Sequence, residues 1–246
     1  MESIALWPIA PLLIVLSFFA AMISAIAGFG GGMVFLPFLV AAFGPERAVP
    51  IMTVMMLLGT TSRAWVNRSA LKWRIIRWFA LGTIFGAALG AWVFLEMNPY
   101  WLLKAIGLFI ILAVIVRRLP GKRLRIRDAK AFAPIGAAGG FIGGVVGGMG
   151  PMVSPFFLAA GLTGAAFVGT VGACAICMHI VKIFVYNKGG AVDASTLIIG
   201  SALGLSMVAG TLVGKKVLDR LDAKKFTLIV EVLLVVIGIW FLVRPV

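Results

Sequence analysis

The chain has 246 residues, of which 62% are hydrophobic and 12% charged. A soluble domain of this length is about half apolar and a quarter charged, so the excess has no aqueous fold to hide in and the chain reads as an integral membrane protein. A net charge of +14 suggests nucleic acid at first sight, but seventeen of the 22 Lys and Arg lie in three short stretches, Arg63 to Arg77, Arg117 to Lys130 and Lys215 to Lys225. Stretches so short and so placed read as cytoplasmic loops, and no nucleic-acid partner is expected.

Met1 to Ala27 is apolar but has Glu2 and no Lys or Arg before Arg47, which is not the basic start of a signal peptide. Trp7 to Ala27 is therefore the first span, followed by Gly31 to Phe43, too short to cross alone, and Pro50 to Val66. Trp78 to Glu96 and Leu102 to Val116 form a hairpin turned at Met97-Asn98-Pro99-Tyr100. Loops on one side must be separated by an even number of spans, and the stretch from Ala131 to Val213 has room for four at about 20 residues each. These are Ala131 to Val146, Met149 to Leu162, Gly164 to Tyr186 and Ala194 to Val213, with Asn187 to Asp193 as an outside loop. Phe226 to Val243 completes the series.

The halves repeat. Gly28-Phe29-Gly30-Gly31-Gly32-Met33-Val34-Phe35-Leu36-Pro37 recurs as Gly147-Gly148-Met149-Gly150-Pro151-Met152-Val153-Ser154-Pro155, with one residue dropped before the last Pro. Further along, Arg63 falls opposite Lys182 and Gly86 opposite Gly204. The expected fold is all-α and polytopic, with two repeats of about five spans each. Residues 1–116 form the first repeat, 117–130 a basic cytoplasmic linker and 131–246 the second. An odd number of spans inverts the second copy, so both chain ends lie outside; eight to ten segments cross, depending on whether the short Gly-rich ones cross fully.

Short Gly/Pro-interrupted segments at matching places in inverted halves point to a transport site near the midplane. A helix that starts inside the membrane presents unpaired N–H groups and a partial positive charge, and glycines let an anion approach them closely. The glycines at small-xxx-small spacing, Gly82, Gly86 and Gly90, and Gly200 and Gly204, read instead as helix-packing surface.

The Gly-x-Gly-Gly-Gly-x-x-x-x-Pro segment, echoed in the second half, resembles the TauE/SafE family of sulfite exporter-like membrane permeases over nearly the whole chain. The resemblance implies a secondary transporter, an exporter of small anions such as sulfite, sulfoacetate or related sulfonates and carboxylates, in the cytoplasmic (inner) membrane. Its motif maps onto Gly28, Gly30, Gly31, Gly32 and Pro37. The second copy, Gly147, Gly148, Gly150, Ser154 and Pro155, departs from it, with Met149 and Pro151 where the first has glycines.

Ionisable groups inside spans are functional candidates. Arg63 and Lys182 could each supply a cation beside a central anion; His179, on the same helical face as Lys182, and Glu231 are the candidates for proton coupling. Ser154 is the hydroxyl singled out to help hold an oxyanion. Cys174, Cys177 and His179 form a metal-like string, but a closed site needs a fourth ligand, and the three read as helix-packing residues. No cofactor, resident metal or catalytic residue is expected; the partners are the bilayer, a small anion and a coupling proton or sodium ion. Two alternatives stand beside a carrier: a passive anion channel built from the same half-helices, and an intramembrane serine hydrolase using Ser154 and His179, which lacks a Gly-x-Ser-Gly type turn.

Overall fold

The computed structural model describes residues 10–27, 31–118, 125–217 and 223–244. They are helical: α1 (Ala10–Ala27), α2 (Gly31–Val66), α3 (Trp73–Glu96), α4 (Pro99–Arg118), α5 (Phe132–Val146), α6 (Gly150–Ala159), α7 (Gly164–Lys188), α8 (Ala194–Val217) and α9 (Ala223–Val243). Six stretches among them are long and apolar enough to cross a bilayer. α6 has ten residues, about 15 Å of helix and half a hydrocarbon core. Part of the expected linker, residues 119–124, lies outside the described residues.

Two starts differ from the sequence expectation by five residues, that of α3, at Trp73 rather than Trp78, and that of the second piece of α2. The second piece of α2 begins not at Pro50 but at Pro45, because Gly44 takes a left-handed conformation (φ 74°) and breaks the helix there. Proline suits a first helical turn, where its missing N–H costs nothing. Pro50 stays inside, and the carbonyl it strands belongs to exposed Glu46 near the helix start.

The halves are interleaved by backbone-level packing. α3 lies along α5 and α8 along α1 as the two most extensive helix pairs. A methyl group on Gly82, Gly86 or Gly90 would run into the backbone of Ala133, Ala137 or Phe141, and one on Gly136, Gly140 or Gly144 into the backbone of α3 between Phe79 and Ala91. Thr83 adds a bond across this seam, donating to the Gly136 carbonyl at 3.1 Å. In the other pair Gly210 abuts Phe18, and Ser206 donates to the Ile14 carbonyl at 2.8 Å. Gly200 and Gly204 seat α8 on Val54 and Leu58 of α2, so the glycines expected to pack do so. Lipid tails are as apolar as Leu, so close van der Waals fit rather than burial drives this association.

The contacts fix helix directions. Gly82 and Gly90 meet Ala133 and Phe141 in the same order, so α3 and α5 are parallel, and α1 and α8 likewise. Lys104, early in α4, donates to the carbonyls of Phe241, Leu242 and Arg244 at the end of α9, while Arg118 at the end of α4 pairs with Glu231 at 2.7 Å. α4 and α9 are therefore antiparallel. So are α2 and α7, since Thr60 faces Gly172 and Asn67 faces Gly169.

The outer surface is apolar, with Phe85, Leu205, Ile198 and Phe184 among the most exposed side chains. Trp65 and Trp73 at one end of the bundle and Tyr100 and Trp101 at the other are exposed as an aromatic belt requires. At the α7–α8 turn Asp193 accepts from the Thr196 amide at 2.7 Å and caps α8.

Gly86→Leu drives a side chain into the Ala137 backbone and costs about 1–3 kcal/mol of stability or more, read as a lowered unfolding temperature in detergent; Ile84→Leu on the exposed side of α3 leaves it unchanged. The bonds from Thr196 and Ser195 hold the Asp193 carboxyl down at about 2. A depressed carboxylate stabilises above its unfolded pKa near 3.8 and loses that contribution as pH falls through the folded value. The stability gap between the wild type and Asp193→Asn therefore narrows as pH drops from 5 towards 2, and a gap that is flat with pH would contradict the cap.

Candidate functional site

The site is built where α5 stops. Gly147 turns the chain in the left-handed region (φ 97°), its N–H still bonded to the Gly143 carbonyl at 3.0 Å, and α6 restarts at Gly150 with Pro151 in its first turn. Two helix ends of opposite polarity thus lie side by side inside the protein, in a setting where unsatisfied backbone groups are costly.

The carbonyl end is closed by α7. Lys182, with no exposed surface, donates its ammonium to the Gly147 carbonyl at 3.0 Å, and Tyr186, one turn on, donates its hydroxyl to the Gly144 carbonyl. The ammonium also lies 5.6 Å from the centre of the Tyr186 ring. A cation at a helix C-terminus is favourably placed against the dipole.

The amide end is open. The N–H groups of Gly148 and Met149 make no backbone hydrogen bond among the described residues. Both residues line a cavity of about 430 Å³, together with Gly150 and Ser154. Gly32 and Arg63 of α2 and His179 of α7 line it too. Met52 lies between the two glycine tracts: a methyl group on Gly32 would come within 2.8 Å of its Cε, and one on Gly148 within 3.3 Å. The tracts therefore meet across one side chain.

Arg63 bonds through Nε to the Gly59 carbonyl at 3.2 Å, and its terminal nitrogens make no hydrogen bond among the described residues. His179 is almost fully buried, and its Nδ1 has no hydrogen-bond partner. A buried nitrogen without a partner calls for a proton, a water or a ligand. Ser154 reaches the cavity, but its hydroxyl proton is turned back onto the Gly150 carbonyl at 2.6 Å, and it makes no bond to His179. Thr60 and Thr211 spend their protons on their own helices in the same way.

The remaining candidates lie elsewhere. Lys182 sits behind the cavity wall, its ammonium on a backbone carbonyl rather than beside a ligand. Pro37 and Pro155 lie within α2 and α6 and are not among the lining residues, and Gly31 opens α2. Glu231 is not among them either, and its carboxylate accepts two bonds from Arg118. Gly28 and Gly30 lie outside the described residues.

Sequence reasoning missed the methionines. Met33, Met52, Met56, Met149 and Met178 all line the cavity, as does Asn67. The signal was present: Met52, Met56, Thr60, Arg63 and Asn67 form one helical stripe at spacings of four and three, ending in two polar groups. Met in an apolar helix reads as gap-filling core, which hid it.

Lys182→Met leaves the Gly147 carbonyl buried without a partner and costs about 1–3 kcal/mol, and Tyr186→Phe does the same at Gly144 by about 1–2 kcal/mol. Unfolding temperature in detergent reads both; values equal to the wild type would mean these bonds do not hold the break together.

No curated protein and no solved structure matches the chain. The profile of the family described as sulfite exporter TauE/SafE matches residues 13–241. An all-helical chain with six spanning-length stretches and a profile match over nearly its whole length is an integral, multi-pass membrane protein, and it belongs to the sulfite exporter TauE/SafE family of membrane transporters.

Proposed function

We propose that the protein is a secondary transporter that carries a small sulfur-containing or organic anion out of the cytoplasm by alternating access. On this reading the two halves are inverted-topology repeats: α4 and α9 hold the same place in each half and run antiparallel, as do the second piece of α2 and α7. The observation that supports the proposal is that Gly32 of the first glycine tract and Gly148 and Gly150 of the second line one cavity, with Met149 and Arg63 also in its wall.

Amides at a helix start attract an anion without a full buried cation, and Arg63 adds a charge-assisted bond. The cavity reaches Val66 and Asn67 at the end of α2 and Leu212 near the end of α8, beside two of the basic stretches. With those stretches cytoplasmic, the site loads from inside the cell, which supports export. At the opposite end Arg47 donates to Ser195 at 3.0 Å and pairs with Asp193 at 3.7 Å, tying the second piece of α2 to the start of α8. On this reading His179, which lines the cavity and whose buried Nδ1 has no hydrogen-bond partner, carries the coupling proton.

Flux of labelled sulfite and sulfoacetate into sealed proteoliposomes is expected to saturate and to run uphill on an imposed proton or sodium gradient. Currents of single-channel size would replace the carrier with a pore. Arg63→Gln raises KM about tenfold or more, the loss of one charged hydrogen bond of roughly 1.5–3 kcal/mol. His179→Gln keeps anion exchange but loses proton-driven accumulation; accumulation equal to the wild type would remove His179 from the coupling role.

A further inference from the structure

We infer that the anion this site is shaped for carries an apolar body behind its charged head, and that inorganic sulfite fills only the head position; the inference rests on the transport reading above. A bare oxyanion such as sulfite occupies about twice the volume of a water, roughly 60 Å³, whereas the cavity holds about 430 Å³. That is the size of sites for organic ligands, which combine a mostly apolar wall with a few converging polar groups.

The polar groups are few: the amides of the α5–α6 break, Arg63 and His179, while Asn67 donates to the Arg63 carbonyl at 2.8 Å. The lining hydroxyls of Ser154, Thr60 and Thr211 are turned back onto their own helices. Much of the rest of the wall is thioether and ring: Met33, Met52, Met56 and Met178, with Phe109 and Phe167. Water filling that part would find few partners, so an apolar group that displaces it gains affinity. Methionine adapts its shape through three rotatable bonds, and its polarizable sulfur favours soft or aromatic bodies. The predicted ligand class is a monoanionic organic acid, a sulfonate or carboxylate with a body of about three to six carbons.

A homologous series separates head from body. Purified protein in nanodiscs is titrated with sulfite, methanesulfonate, propanesulfonate, butanesulfonate and hexanesulfonate, and apparent affinity is taken from the rise in unfolding temperature. Affinity is expected to climb about two- to fourfold per added methylene until the cavity is full. Met56→Gln and Met178→Gln should flatten that climb, while Ile198→Gln on the lipid-facing surface should leave it intact. Sulfite binding as well as or better than butanesulfonate would overturn the apolar-body inference and leave the transport reading standing. An equal climb in the two Met variants would also overturn it, since the gain would then come from the bilayer. If neither sulfite nor any sulfonate stabilises the protein, both readings fall together.

Discussion

Everything in this protein turns on how backbone polar groups are satisfied where a helix stops inside an apolar surrounding. The α5–α6 break strands carbonyls on one side and amides on the other, and the two ends are treated differently. Lys182 and Tyr186 close the carbonyl side, so the negative end of α5 is covered by a cation and a hydroxyl. The amide side is left to the cavity. A fully buried ammonium is costly unless its protons find partners, and here the helix end supplies one. The result is a cavity lined by unbonded peptide amides and Arg63, with the opposing carbonyl end covered.

Such a break needs a rigid frame, because a shift of an ångström would let lipid or water reach the exposed backbone groups. Rigidity comes from glycine. The α3–α5 seam brings backbones together along three turns on each side, leaving no room for even a methyl group. α4 and α9 are pinned at both ends, by the three bonds from Lys104 to the α9 terminus and by the Arg118–Glu231 pair. Glu231 looked like a coupling carboxylate because it is ionisable within a span; its bonds tie it to a helix–helix clamp. The first helix of each half is held by a long helix of the other, so neither half's broken segment stands alone.

Much of this was legible in the sequence, and the failures have physical reasons. The all-helical membrane fold followed from the apolar excess, and the Gly82, Gly86, Gly90 spacing announced a packing face because only backbone contact needs that period. The start of the second piece of α2 was misplaced because two prolines compete for the boundary. The choice fell to Gly44, whose left-handed conformation does not show in a hydropathy pattern. Lys182 was read as a ligand-side cation because a sequence shows that a charge is buried but not which oxygen it meets. The methionine wall was hidden for a related reason: a thioether facing a cavity and one facing a neighbouring helix look the same until the helices are placed.

The two halves also differ where the repeat makes them equivalent. Arg63 and Lys182 hold the same place, and one turn on stand Asn67 and Tyr186. In the first half both members line the cavity; in the second, Lys182 and Tyr186 are fully buried against α5. On the proposed reading, a carrier of two inverted copies, any single state has to be asymmetric, since one side must be closed while the other is open. The open side here is marked by a cation with unengaged terminal nitrogens, and the closed side by a cation locked on a helix end. In that proposal, exchange of the two arrangements demands that the Lys182 and Tyr186 bonds break as Arg63 and Asn67 give up their bonds within α2 for partners on another helix. The same hydrogen bonds that hold α5 in place are therefore the ones that the proposed alternating access would have to break.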